Sequence, residues 1–129
     1  MSGRFLLDTN IVIALFKGDV VVQKNLAEVE KVFIPAIVLG ELYYGACKSS
    51  HIEKNMARIE EFAGGVAVLA CDAGTAREYG IIKNHLRTKG RPIPENDIWI
   101  AAIARQRSLV LVSRDDHFVE VEGLKLERW

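Results

Sequence analysis

The sequence is poor in cysteine, in long apolar runs and in net charge, and each shortage narrows what the protein can be. Two cysteines, Cys47 and Cys71, stand among 129 residues. They fit neither a CxxC redox motif nor a zinc spacing, so they read as reduced core thiols rather than as a disulfide framework. The longest uninterrupted apolar run is 98–104, far short of the ~20 residues of a membrane helix. The opening Met-Ser-Gly-Arg lacks the basic-then-apolar pattern of a secretion signal. Together these predict a cytoplasmic protein with no membrane association. Lys plus Arg equals Asp plus Glu, 17 each. A net charge of zero argues neither for nor against a nucleic-acid partner; only local patches can. No repeat, low-complexity tract or linker divides the chain, and its length suits a single domain, 1–129.

What is there is a regular alternation. Half of the residues are apolar, enough for a real core. Short apolar segments at 5–7, 32–34, 66–69, 109–112 and 124–126 read as strands. Between them, 10–16, 20–29, 36–48, 52–62, 72–89 and 95–107 read as helices, with Gly18, the Gly64-Gly65 pair and Gly90 as stops. The helix at 95–107 is apolar nearly all round and is expected to be buried, with Trp99 in the core. Strands this short and this free of polar residues suit a parallel sheet covered on both faces. The fold class is therefore α/β: a three-layer α/β/α sandwich with a short central parallel sheet. In such sheets ligands bind beyond the carboxyl ends of the strands.

Acidic residues collect where that rule points. The stretch "FLLDTNIVIALF", 5–16, is apolar at nine of twelve positions, and Asp8, Thr9 and Asn10 interrupt it together. A carboxylate in a core segment is costly unless it is hydrogen-bonded, paired or bound to metal. Asp115 follows the strand at 109–112, after Ser113 and Arg114. Glu41 is the only charged residue of the thirteen in "IPAIVLGELYYGA", and Asp97 sits in the first turn of the most apolar helix. Each has an ordinary alternative. Asp8 can end a strand, with Thr9 or Asn10 capping the next helix. Asp97 suits a helix start, Glu41 can face solvent, and Asp115 with Asp116 can be plain loop. Taken together, four carboxylates on one sheet edge repel one another without a cation. An oxygen-rich set suits Mg²⁺, with Mn²⁺ as the alternative. No histidine or cysteine stands at metal-ligand spacing from these acids, and the histidines, His117 included, read as structural.

"LLDTNIVIAL", "IPAIVLGELYYGA", "IPENDIWIAAIA" and "LVLVSRDDHFVEVEGLKLERW", in this order and over the whole chain, resemble the PIN-domain ribonucleases, in particular the VapC toxins of toxin–antitoxin pairs. The resemblance implies a metal-dependent endoribonuclease whose catalytic acids are Asp8, Glu41, Asp97 and Asp115. Asp8, Asp97 and Asp115 would hold the metal, with Asp116 as the fallback for Asp115. Ser113 matches a position where the family often has Thr, and Asn10 a polar position of the first motif. The implied partners are RNA, with transfer RNA one candidate, a VapB-type antitoxin whose tail places a Lys or Arg over the acids, and a second copy of the chain. Apolar or aromatic residues on two neighbouring helices, Leu39, Tyr43, Tyr44, Ile52, Met56 and Ile59, are a candidate dimer face. Lys83, Arg87, Lys89 and Arg91, with Lys48, Lys54 and Arg58, are either an RNA track or a solvated face.

Three other readings compete. A receiver-like Mg²⁺-binding signalling domain needs a pair of acids after the first strand and a Lys after a late one; Thr9 follows Asp8, and no Lys follows Val112. A haloacid-dehalogenase-like phosphatase needs a second Asp where Asn10 stands. The third is a PIN fold kept only to bind RNA or protein, without catalysis; the full acidic set argues against it.

Overall fold

The computed structural model describes residues 3–129. Five parallel strands form one sheet: β1, Arg4–Leu7; β2, Lys31–Pro35; β3, Ala67–Leu69; β4, Val110–Val112; and β5, Leu126–Glu127. Their order across the sheet is β3-β2-β1-β4-β5. Six helices connect them: α1, Thr9–Phe16; α2, Val20–Glu28; α3, Ala36–Cys47; α4, Ile52–Gly64; α5, Ala73–Thr88; and α6, Glu95–Gln106. A 3-10 turn, Asp116–Glu120, lies between β4 and β5. Parallel strands need such crossovers, and the helices cover both faces of the sheet as an α/β/α sandwich.

The central position of β1 explains its composition. Phe5, Leu6 and Leu7 are all buried, because strands flank β1 on both edges and helices lie above and below. Leu6 pairs with Phe33 on one side and with Leu111 on the other. Helix α6 supplies the thickest part of the core, with Ile98 and the run Ile100 to Ala104 buried. No helix among the described residues is long and apolar enough to cross a membrane.

The chain runs from β1 to β2 to β3 in one direction across the sheet, then returns to place β4 on the other side of β1. The order therefore reverses between β1 and β4, and the loops leaving these two strands diverge there. That crevice is the usual ligand position of an open parallel sheet. Asp8 follows β1 directly, and its N–H donates to the carbonyl of Val112 at 3.0 Å, so the two strand ends are tied together.

Three expectations need correction. Cys47 and Cys71 are free thiols but exposed, not core; at the end of α3 the inward position is taken by Ala46. Trp99 is half-buried rather than in the core, stacked on Tyr79 with ring centroids 4.0 Å apart. The last strand pairs through Leu126 and Glu127, opposite Leu111 and Val112, beginning two residues later than expected and ending one later. Gly123, at φ 76°, makes the turn before it, a backbone shape that a side chain disfavours.

Candidate active site

Asp8 is buried, with 5 % of its surface exposed. It is the N-cap of α1: its Oδ1 accepts the Thr9 N–H at 2.8 Å. Its Oδ2 accepts the Ser113 hydroxyl at 2.7 Å, from the end of the neighbouring strand. Burial raises the Asp8 carboxyl to about 6, against the hydrogen bonds from Ser113 and Thr9, and the charges of Asp97 and Glu41 push the same way as burial. Helix α3 carries Glu41, whose Oε1 accepts the Thr9 hydroxyl at 2.9 Å. The Asp8-Thr9 pair at the end of β1 thus touches one acid, from α3, and one hydroxyl, from the end of β4.

Helix α6 has no side-chain cap; Pro94 precedes it, and Asp97 lies in its first turn. The Asp97 carboxylate makes no backbone hydrogen bond that would identify it as a cap; its partner is His117 Nδ1 at 3.1 Å. Burial raises Asp97 above the usual carboxylate range, and the charge of Asp115 adds to it, while His117 opposes. Asp115 caps the 3-10 turn through the His117 N–H at 3.0 Å, and its own N–H donates to Ser113 Oγ at 2.9 Å. Asp116 points away; its side chain is 96 % exposed and faces Arg128 at 3.6 Å. Between the two, Asp115 is the one turned toward Asp97.

Asn10 and Arg114 brace the loop. The Asn10 amide oxygen accepts the Arg114 N–H at 3.2 Å. The Arg114 guanidinium turns outward, to Asp19 at 2.8 Å and to the Trp129 carbonyl at 2.7 Å. It neutralises none of the acids at the crevice.

The model of the PIN domain family matches residues 5–124. The chain belongs to the PIN-domain family. Among curated relatives, the Haemophilus influenzae "Ribonuclease VapC2" is 39 % identical over 130 residues, 98 % of each chain. A Shigella flexneri "tRNA(fMet)-specific endonuclease VapC" is 40 % identical, again over 98 % of each. Among solved structures, the Rickettsia felis VapBC2 complex bound to promoter DNA superposes with a TM-score of 0.90 at 30 % identity, covering 98 % of both chains. VapBC-1 of nontypeable Haemophilus influenzae gives 0.91 at 30 %, with the same coverage. This PIN domain is thus of the VapC ribonuclease type.

The side chains of this PIN domain fit a hard divalent cation. Asp8, Glu41, Asp97 and Asp115 bring carboxylate oxygens to one crevice, and no lysine or arginine among the described residues forms an ion pair with any of them. Such a set lacks a lysine or arginine to balance it, and the charges of Asp97 and Glu41 add to the burial that raises the Asp8 carboxyl.

His117 is the residue that sequence reasoning missed. Its Nδ1 lies 3.1 Å from Asp97 Oδ2 and 3.0 Å from Asp115 Oδ1, so a histidine does join the cluster. Its separation from Asp97 fits no ligand spacing, and only the return of β4 beside β1 brings them together. The one sequence signal was its place two residues after Asp115. Bonding to Asp97, with the charges of both acids, raises the imidazole pKa.

The basic stretch at 83–91 is largely committed elsewhere. Lys83 pairs with Glu95, His85 with Glu122 and Lys89 with Glu120. Lys17 and Arg58 instead line a groove of about 400 Å³ that also holds Glu41, with Ile13, Phe16 and Leu42 as its apolar wall.

Proposed function

We propose that the whole chain, 1–129, acts as a single-domain, Mg²⁺-dependent endoribonuclease, the cytoplasmic toxin of a VapBC-type toxin–antitoxin pair. The observation that carries this reading is the set Asp8, Glu41, Asp97 and Asp115 at the crevice between β1 and β4, whose one basic partner among the described residues is the His117 imidazole. Asp8, Asp97 and Asp115 would hold the cation. Mn²⁺ would fit the same oxygens. A divalent cation bound there would supply positive charge to the scissile phosphate and lower the pKa of a bound water.

The chain's own residues do the positioning. Thr9 N–H and the Ser113 hydroxyl fix the two oxygens of Asp8. The Thr9 hydroxyl fixes one oxygen of Glu41, leaving the other to orient the attacking water and take its proton. A bond forms between that water's oxygen and phosphorus. The bond to the leaving ribose oxygen breaks, and that oxygen takes a proton from solvent. Lys17 and Arg58, on the groove beside Glu41, meet the phosphates on either side.

A VapB-type antitoxin and a second copy of the chain are the partners this reading implies; the Rickettsia felis neighbour was solved as a VapBC pair. Initiator transfer RNA is the first substrate to test, because the Shigella relative is named for it. The purified protein is incubated with mixed RNA and with transfer RNA, in Mg²⁺ and in EDTA. Cleavage in Mg²⁺ that is absent in EDTA and in Asp8→Asn is the expected result. Cleavage that persists in EDTA overturns the metal mechanism.

A further inference from the structure

We propose that His117 is itself a ligand of the cation held by Asp97 and Asp115, and that its nitrogen biases this site toward Mn²⁺ over Mg²⁺. The inference rests on the metal-dependent reading above and adds a donor of a different chemical kind to it.

The placement is built in. Phe118 is buried and anchors the 3-10 turn in the core, which leaves the preceding residue at the mouth of the crevice. The turn is held at its start by Asp115, whose Oδ1 accepts the His117 N–H at 3.0 Å. From that position the ring directs Nδ1, not its outer nitrogen, at the acids. Both polar contacts of the ring are at Nδ1, one to Asp97 and one to Asp115.

The distances suit a shared ion. Octahedral ligands about 2.1 Å from a small divalent cation have neighbouring donor atoms about 3.0 Å apart. The two Nδ1 separations are 3.1 and 3.0 Å. One ligand atom each from Asp97, Asp115 and His117 lies within 4.8 Å of the others. A hydrogen bond from the ring to either acid has a similar length. The chemistry separates the two cases. Mg²⁺ is a hard ion that favours oxygen and keeps its waters, whereas Mn²⁺ accepts imidazole nitrogen more readily. An all-carboxylate site discriminates weakly between them. A site with one imidazole favours Mn²⁺, and it admits Zn²⁺ and Ni²⁺ as competitors.

The test is Mn²⁺ binding followed by electron paramagnetic resonance on wild type, His117→Ala, His117→Gln and Asp97→Asn, with Mg²⁺ as the competing ion. Pulsed spectra of the wild-type Mn²⁺ complex should show coupling to a directly bound ¹⁴N. His117→Ala and His117→Gln should lose that coupling and weaken Mn²⁺ about tenfold, with Mg²⁺ affinity little changed. The ring is at the surface, so both variants should melt as wild type in EDTA. Bound Mn²⁺ without nitrogen coupling, and with equal affinity in His117→Ala, overturns the ligand role and leaves the acidic metal site standing. No Mn²⁺ binding by wild type, or binding unaffected by Asp97→Asn, overturns the metal reading and this inference with it.

Discussion

Ser113 donates its hydroxyl to Asp8 Oδ2 at 2.7 Å, while Ser113 Oγ itself accepts the N–H of Asp115 at 2.9 Å. One buried hydroxyl therefore orients an acid from β1 and fixes the loop that carries an acid after β4. Asp8 and Asp115 keep their spacing through it, without touching.

Removing that hydroxyl has a defined cost. Ser113→Ala leaves a buried carboxylate oxygen without its nearest donor, a loss of about 1–3 kcal/mol, and leaves the Asp115 N–H unpaired. Cleavage should fall more than stability, because the loop is freed to drift. Ser113→Thr keeps the hydroxyl and should recover most of the activity. Urea unfolding and RNA cleavage of the two variants measure this; equal activity in both would remove Ser113 from the site.

Asp8 makes metal-free stability depend on pH in an unusual direction. Its carboxyl is raised from 3.8 to about 6 in the folded chain, so folding favours the protonated form. The contribution is fully present below the unfolded value and is lost as pH rises through the folded one. A shift of that size corresponds to about 3 kcal/mol. Asp97, also raised, adds in the same sense. In EDTA the wild type should therefore be less stable at pH 7.5 than at pH 4.5 through these groups, and Asp8→Asn should flatten the difference. Mg²⁺ should restore stability at pH 7.5, where the acids are ionised. Parallel unfolding curves for wild type and Asp8→Asn across this range would contradict the assignment.

The strands, the helices and their order were readable because their signals are local: apolar runs for buried strands, helical spacing for α5 and α6, glycines at the stops. The edge on which Asp8 and Asp115 lie was readable too, since it follows from which residue comes after each strand. Contacts made by long-range return of the chain were not. His117 meets Asp97 only because β4 lies beside β1 and the 3-10 turn folds back over the N-terminus of α6. The pairing of Lys83 with Glu95 and of Lys89 with Glu120 likewise has no signature in a stretch that reads as simply basic. The cysteines were misplaced for the opposite reason. Their type favours burial on average, but Cys47 follows the inward-facing Ala46 at the end of α3 and Cys71 lies in the loop between β3 and α5.

Single neutral substitutions separate the acids at the crevice from their neighbours. Asp97 caps no backbone N–H of α6, and its bonded partner is His117. Asp97→Asn should leave metal-free stability within about 1 kcal/mol, the range of ordinary substitutions outside the core, and lower cleavage about a hundredfold or more. Asp115→Asn should act in the same direction, and its loss of charge should also weaken divalent-ion binding. Asp116→Asn, on a side chain 96 % exposed, should change neither. Circular dichroism, calorimetric metal titration and RNA cleavage, run on all three, check the order. An inactive Asp116→Asn with a fully active Asp115→Asn would reverse the assignment of the pair.

Assembly is tested on the residues of α3 and α4 that the core does not use. Ile59 is buried, and Leu39, Tyr43 and Met56 pack against the core, which removes them from a free face. Tyr44 and Ile52 remain, 66 % and 46 % exposed, on two helices that pack together. Lys48 lies over the Tyr44 ring, 5.0 Å from its centroid. A two-fold contact is self-complementary, so one charge introduced there meets its own copy across the axis. Light scattering at micromolar concentration should report a dimer for the wild type and a monomer for Tyr44→Asp with Ile52→Asp, both with the same melting behaviour in dilute solution. A wild-type monomer refutes the dimer, and a dimer that survives both substitutions moves it to another face. An antitoxin bound across the acids should also lose affinity as Mg²⁺ is added, because its Lys or Arg and the ion answer the same unpaired negative charge. Full RNA cleavage by the antitoxin complex would refute that inhibition.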